Sequence, residues 1–88
     1  MRFPHGRVVT TANCMRFAEE NGIDLLAVLA RHLACDWQDL PPEDRVANEQ
    51  ALVSGGRIFS AYKLPQGRVW VITEADRGST CILLPEDY

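Results

Sequence analysis

The chain has no Cys-x-x-Cys pair, no glycine-rich phosphate loop, no long apolar run and no large excess of either charge. Its longest apolar stretch, residues 25–30, is stopped by Arg31 and His32, well short of the ~20 residues a membrane helix needs. Three cysteines, Cys14, Cys35 and Cys81, are too few and too widely spaced for a zinc set, and His5 and His32 do not complete one. The odd count predicts free structural thiols in a reducing cytoplasm, with no native disulfide. The segment Met1-Arg2-Phe3-Pro4-His5-Gly6-Arg7 has no apolar core, so no secretory signal is expected. Nine basic residues against twelve acidic ones give a net charge of −3, which argues against a protein that coats nucleic acid.

What remains is an ordinary globular composition, 47% hydrophobic and 24% charged over 88 residues. That length predicts one domain, 1–88, with a small core. The first half reads as helices. Thr11 or Asn13 can cap a helix running through Glu20, and Asn21-Gly22 stops it. Asp24 can cap a second helix, whose Leu25, Leu26, Val28, Leu29 and Leu33 form one apolar face. Asp36-Trp37-Gln38-Asp39-Leu40-Pro41-Pro42 breaks it. Pro42 suits the first turn of a third helix, with Glu43 and Asp44 at its positive end and Ser54-Gly55-Gly56 closing it. Ahead of these, Arg7-Val8-Val9-Thr10 reads either as a short β segment or as an ordered arm.

From Arg57 the period changes to two. Residues 57–64, 68–74 and 80–84 read as strands, joined by turns at Pro65-Gln66-Gly67 and Asp76-Arg77-Gly78. The expected fold class is α+β: about three N-terminal helices packed on a C-terminal three-stranded antiparallel meander. The middle strand has two faces, Val69/Val71/Thr73 and Arg68/Trp70/Ile72/Glu74, of which one must meet the helices. Burial is expected for Ile72 and Leu83, and a surface position for Glu86 and Asp87.

Few side chains invite chemistry. His32 and Cys35 are three apart and, on one helix, would touch as base and nucleophile, but no third residue is evident. The simpler reading makes His32 a border residue and Cys35 a buried filler. The carboxylate pairs Glu19/Glu20, Asp36/Asp39, Glu43/Asp44, Glu74/Asp76 and Glu86/Asp87 read as solvated or capping groups. Trp37 is expected to close the corner between helices with its indole N–H bonded at the edge. No catalytic residue, cofactor or metal is expected.

Charge is uneven. Residues 36–50 carry a net −4 and residues 74–88 a net −3, whereas residues 51–73 hold Arg57, Lys63 and Arg68 and no acid. An acidic face can dock on a basic partner. The candidate contact residues are therefore Asp36, Asp39, Glu43, Asp44 and Glu49, with Asp39 and Glu49 the least committed to capping.

Several segments carry a resemblance: 32–40, 48–52, 56–62 and 69–77, closing with Thr80-Cys81-Ile82-Leu83-Leu84-Pro85-Glu86-Asp87-Tyr88. Ile72-Thr73-Glu74-Ala75-Asp76-Arg77 followed by Ile82-Leu83-Leu84-Pro85 is the most specific part. These resemble a family of small proteins carried on bacterial plasmids, phages and integrated elements, over about two-thirds of the chain. The chain also resembles a type I-C anti-CRISPR protein. The resemblance implies a mobile-element accessory protein that works in the host cytoplasm. It would bind a crRNA-guided surveillance complex, a protein partner with a basic nucleic-acid channel, and would bind neither membrane nor nucleic acid directly. It carries over no site residues and leaves the oligomeric state open. The alternative is a regulatory module acting by protein contact, or by DNA contact through Arg57, Lys63 and Arg68.

Overall fold

A computed structural model describes residues 2–88. The elements run β1 (Arg7–Thr10), α1 (Ala12–Asn21), α2 (Leu25–Leu33), α3 (Pro42–Ser54), β2 (Ile58–Leu64), β3 (Gly67–Thr73) and β4 (Ser79–Leu83), followed by a 3₁₀ turn, Pro85–Asp87. Local chemistry explains the helix limits. The Thr11 hydroxyl accepts the Cys14 N–H at 3.1 Å, and the Asp24 carboxylate accepts the Leu26 N–H at 3.0 Å. Gly22 and Gly55 close α1 and α3 in left-handed conformations. The N-cap of α3 is Pro41, which has no capping side chain, so Glu43 and Asp44 serve the positive end of that helix.

The α+β reading holds, with three helices, but the sheet is not a three-stranded meander. It has four strands in the order β1-β4-β3-β2, and β1 pairs in parallel with β4. The pairs β2–β3 and β3–β4 are antiparallel, as expected. The segment of 7–10 is therefore a strand, held by a partner some seventy residues later in the chain. Its approach depends on Gly6, at φ 60°, where a Cβ would lie 2.4 Å from the Gly78 backbone.

Val69, Val71 and Thr73 face the helices. With Tyr62 and Ile82, the two valines meet Cys14 of α1 and Val28 and Leu29 of α2 in the main core. A second cluster joins Phe3, Trp37, Leu40, Ala51 and Ile58 under the corner and α3. Trp37 is a core residue, 5% exposed, and among the described residues its indole N–H has no partner, contrary to the bonded edge expected. On the other face Trp70 packs edge-on against Phe59 (5.0 Å between centroids) and Tyr88 (5.8 Å).

The helix-facing layer also buries polar groups. His32 is fully buried and bonds Ser60 Oγ through Nδ1 at 2.6 Å and Thr73 Oγ1 through Nε2 at 2.8 Å. Thr73 meets Thr80 at 2.7 Å, and the Thr80 hydroxyl donates to the His5 carbonyl at 2.8 Å. One imidazole thus links α2 to β2, β3 and, through Thr80, to the segment that leads into β1. Every member has a partner, which removes most of the cost of burying it.

Candidate functional site

The five acidic residues do not form one patch. Asp36 and Asp39 lie in the corner between α2 and α3, and both face Arg31. Arg31 Nε donates to Asp36 Oδ2 at 2.7 Å, and its terminal nitrogen stands 3.9 Å from Asp39 Oδ2. The guanidinium also lies 4.4 Å from the centre of the Tyr62 ring. The hydrogen bond from Arg31 holds the Asp36 carboxyl below its usual range. Tyr62 closes the group by donating its hydroxyl to the Asp36 carbonyl at 2.9 Å, and burial pushes its phenol up to about 12.

Asp39 has a second task. Its Oδ2 accepts the backbone N–H of Lys63 at 3.1 Å. Asn48 does the same four residues earlier in the strand: Nδ2 donates to the Phe59 carbonyl at 2.6 Å, and Oδ1 accepts the Phe59 N–H at 3.1 Å. These two side chains occupy three outward backbone groups of edge strand β2, the N–H and C=O of Phe59 and the N–H of Lys63, which hinders another strand from pairing there. Asp39, expected to be little committed to capping a helix, is committed instead to the edge of β2. Sequence reasoning missed Asn48 altogether, although an Asn in the interior of a helix, where it is a mediocre former, was a signal.

Asp44 turns toward the sheet. With Asp39, Leu40, Pro41, Phe59, Lys63, Arg68 and Trp70 it lines an open groove of about 520 Å³. Acids stand on one wall and bases on the other, with aromatic rings between them. Lys63 and Arg68 are direct cross-strand partners, so their charges are concentrated at the β2–β3 hairpin.

Glu43 and Glu49 project from the solvent side of α3. The helical period places Val46, Gln50 and Val53 there too, and Arg45, Val46, Glu49, Gln50, Val53 and Ser54 line one shallow surface. Val46 is 55% exposed and Val53 90% exposed. Two branched apolar side chains beside carboxylates that have no ion pair among the described residues give this helix a mixed outer stripe. The opposite side of α3 buries Asn48 and Ala51.

His32 and Cys35 are not a helical pair. α2 ends at Leu33, and Cys35 follows in a left-handed conformation, φ 59°. Both His32 nitrogens are taken by hydroxyls. Burial alone drives the imidazole down to about 4, and burial is also the main cause that raises the Cys35 thiol. All three cysteines are free. Among the described residues no three His, Cys, Asp or Glu side chains converge as a metal site requires.

Two further side chains escaped the sequence reading. Arg77 donates to the carbonyls of Gly56 at 2.6 Å and Ala51 at 3.1 Å, so it caps the C-terminal end of α3 from the β3–β4 turn. Asp87 accepts from the Thr11 hydroxyl (2.6 Å), the Asn13 amide (2.9 Å) and the Leu84 N–H (3.1 Å). It therefore clips the C-terminal turn to the start of α1 and is not an uncommitted surface acid.

No family model, curated protein or solved structure matches this chain. No helix is long and apolar enough to cross a membrane among the described residues.

Proposed function

We propose that this protein is a non-enzymatic anti-defence inhibitor of the anti-CRISPR kind. It binds a type I surveillance complex in the bacterial host cytoplasm and blocks the complex from binding target DNA. The resemblance supplies the class of partner. The outer stripe of α3 is the observation that carries the docking site: free Glu43 and Glu49 beside solvent-exposed Val46 and Val53. A channel built to hold a phosphate backbone is basic, and carboxylates on a preformed helix complement it. The valines add apolar area at the centre of such a contact, where affinity concentrates. Asp36 and Asp39 contribute less, because Arg31 neutralises much of their field.

A pull-down with a purified type I-C surveillance complex, followed by a target-DNA binding assay on that complex, tests this reading. Capture with loss of DNA binding supports it; failure of capture at low salt refutes it. A regulatory module contacting DNA is the second reading, favoured by the paired Lys63 and Arg68 at the hairpin. A salt-dependent gel shift with duplex DNA, lost on changing both residues to Ala, would select it.

A further inference from the structure

The two edges of the sheet are treated differently. Along β2, Asn48 takes both outward groups of Phe59 and Asp39 takes the N–H of Lys63. Along β1, no side chain does so among the described residues. The Arg7 N–H donates to the Gly78 carbonyl and the Thr11 N–H to the Ile82 carbonyl, which turns the odd-numbered backbone groups toward β4. The alternation of a strand then turns the N–H and C=O of Val8 and Thr10 outward. Among the described residues these groups have no backbone partner, and Val8 and Val9 are 38% and 40% exposed.

We propose that this edge pairs with a second copy of itself, antiparallel about a two-fold axis through Val9, giving a dimer with one continuous eight-stranded sheet. The register follows from the hydrogen-bonding parity. Val8 of each copy comes opposite Thr10 of the other, and each such pair exchanges two backbone bonds, four in all. Val9 stacks on Val9 across the axis. Arg7 comes opposite Thr11 of the second copy, whose hydroxyl holds the Asp87 carboxylate.

Charge therefore also matches. Among the described residues the Arg7 guanidinium has no ion pair. The hydrogen bonds from Thr11 and Asn13 hold the Asp87 carboxyl below its usual range, so it is anionic. Two symmetric Arg7–Asp87 contacts close the ends of the pairing, which favours a second copy over an arbitrary extended peptide. The contact is isologous, each copy using the same β1 edge, so the pairing closes at two copies. A four-residue pairing buries less than the ~1,200 Å² of a standard interface, so the dimer is weak, with dissociation in the range of about 10 µM to 1 mM.

Sedimentation velocity on the full chain across that concentration range reads the association, and amide exchange at Val8 and Thr10 reads its location. The expected result is a monomer–dimer equilibrium that weakens with salt, with both amides becoming protected as concentration rises. Val8→Pro removes an outward N–H that the isolated chain does not use, and should weaken the dimer at least about tenfold. Arg7→Glu, an exposed side-chain change, should do likewise and keeps the test valid if the proline variant misfolds by circular dichroism. A chain monomeric to about 1 mM overturns the proposal, as does a dimer indifferent to both substitutions. A dimer lost instead on changing Trp70 would place the contact on the open sheet face.

Discussion

Burial of His32 predicts a specific acid sensitivity. In the folded chain the imidazole ionises at about 4, because burial disfavours the cation; in the unfolded chain it ionises near 6.5. The unfolded state therefore binds the extra proton first, and stability falls as pH drops from about 6.5 toward 4. The full difference, about 2.5 pH units, corresponds to roughly 3 kcal/mol, of which about 2.5 is lost by pH 4.5. For a domain of this size that is a large part of the 5–15 kcal/mol typical of folded proteins. Denaturant unfolding followed by circular dichroism at pH 7.5, 6.0 and 4.5 measures the slope. Carboxylates contribute to acid lability as well, so the comparison is with His32→Gln, which keeps a hydrogen-bonding side chain but does not titrate. The variant will start less stable and lose less between pH 6.5 and 4.5. Parallel curves for the two proteins, or a His32 imidazole that titrates near 6.5 by NMR in the folded chain, would show that burial of His32 is not the source of the acid sensitivity.

Other substitutions test the packing. Asn48→Ala strands both backbone groups of Phe59 and should cost about 2–3 kcal/mol by denaturant unfolding; it should also raise aggregation by unblocking β2. Ile72→Ala or Leu83→Ala, each at a position only 5% exposed, should cost about 2–5 kcal/mol, against under about 0.5 for Val53→Ala on the solvent side of α3. Cys14 is wholly buried and should resist alkylation in the native chain until denaturant is added, whereas Cys35 and Cys81 react earlier.

Features written in local chemistry were legible before the structure. Thr11 and Asp24 as caps, Gly22 and Gly55 as stops, Pro42 in the first turn of α3 and both hairpin turns are short-range choices made by a few adjacent residues. Strand limits shifted by one residue: β3 begins at Gly67 and β4 at Ser79. The missed pairing was non-local. Four residues cannot display a period, and nothing near Arg7 announces a partner at Ser79. The candidate site was misread for a related reason. Counting charge along 36–50 finds five acids, but the fold spends Asp36 on Arg31 and Asp39 on the Lys63 amide, and it points Asp44 into the groove. Only Glu43 and Glu49 stay on the free face of α3. Arg31 and Lys63 lie outside the acidic run, so a segment-by-segment charge balance could not reveal those pairings.

Docking of the outer stripe of α3 on a basic channel is read from the affinity of Glu43→Lys/Glu49→Lys for a purified type I-C surveillance complex. These residues are exposed and lie apart from the core, so circular dichroism should show the fold retained. Binding is expected to weaken at least tenfold, about 1.4 kcal/mol, with a smaller salt dependence than the parent and with restored target-DNA binding by the complex. Unchanged affinity in this folded variant, or loss of binding only when Glu74, Asp76 and Glu86 are reversed instead, would contradict it.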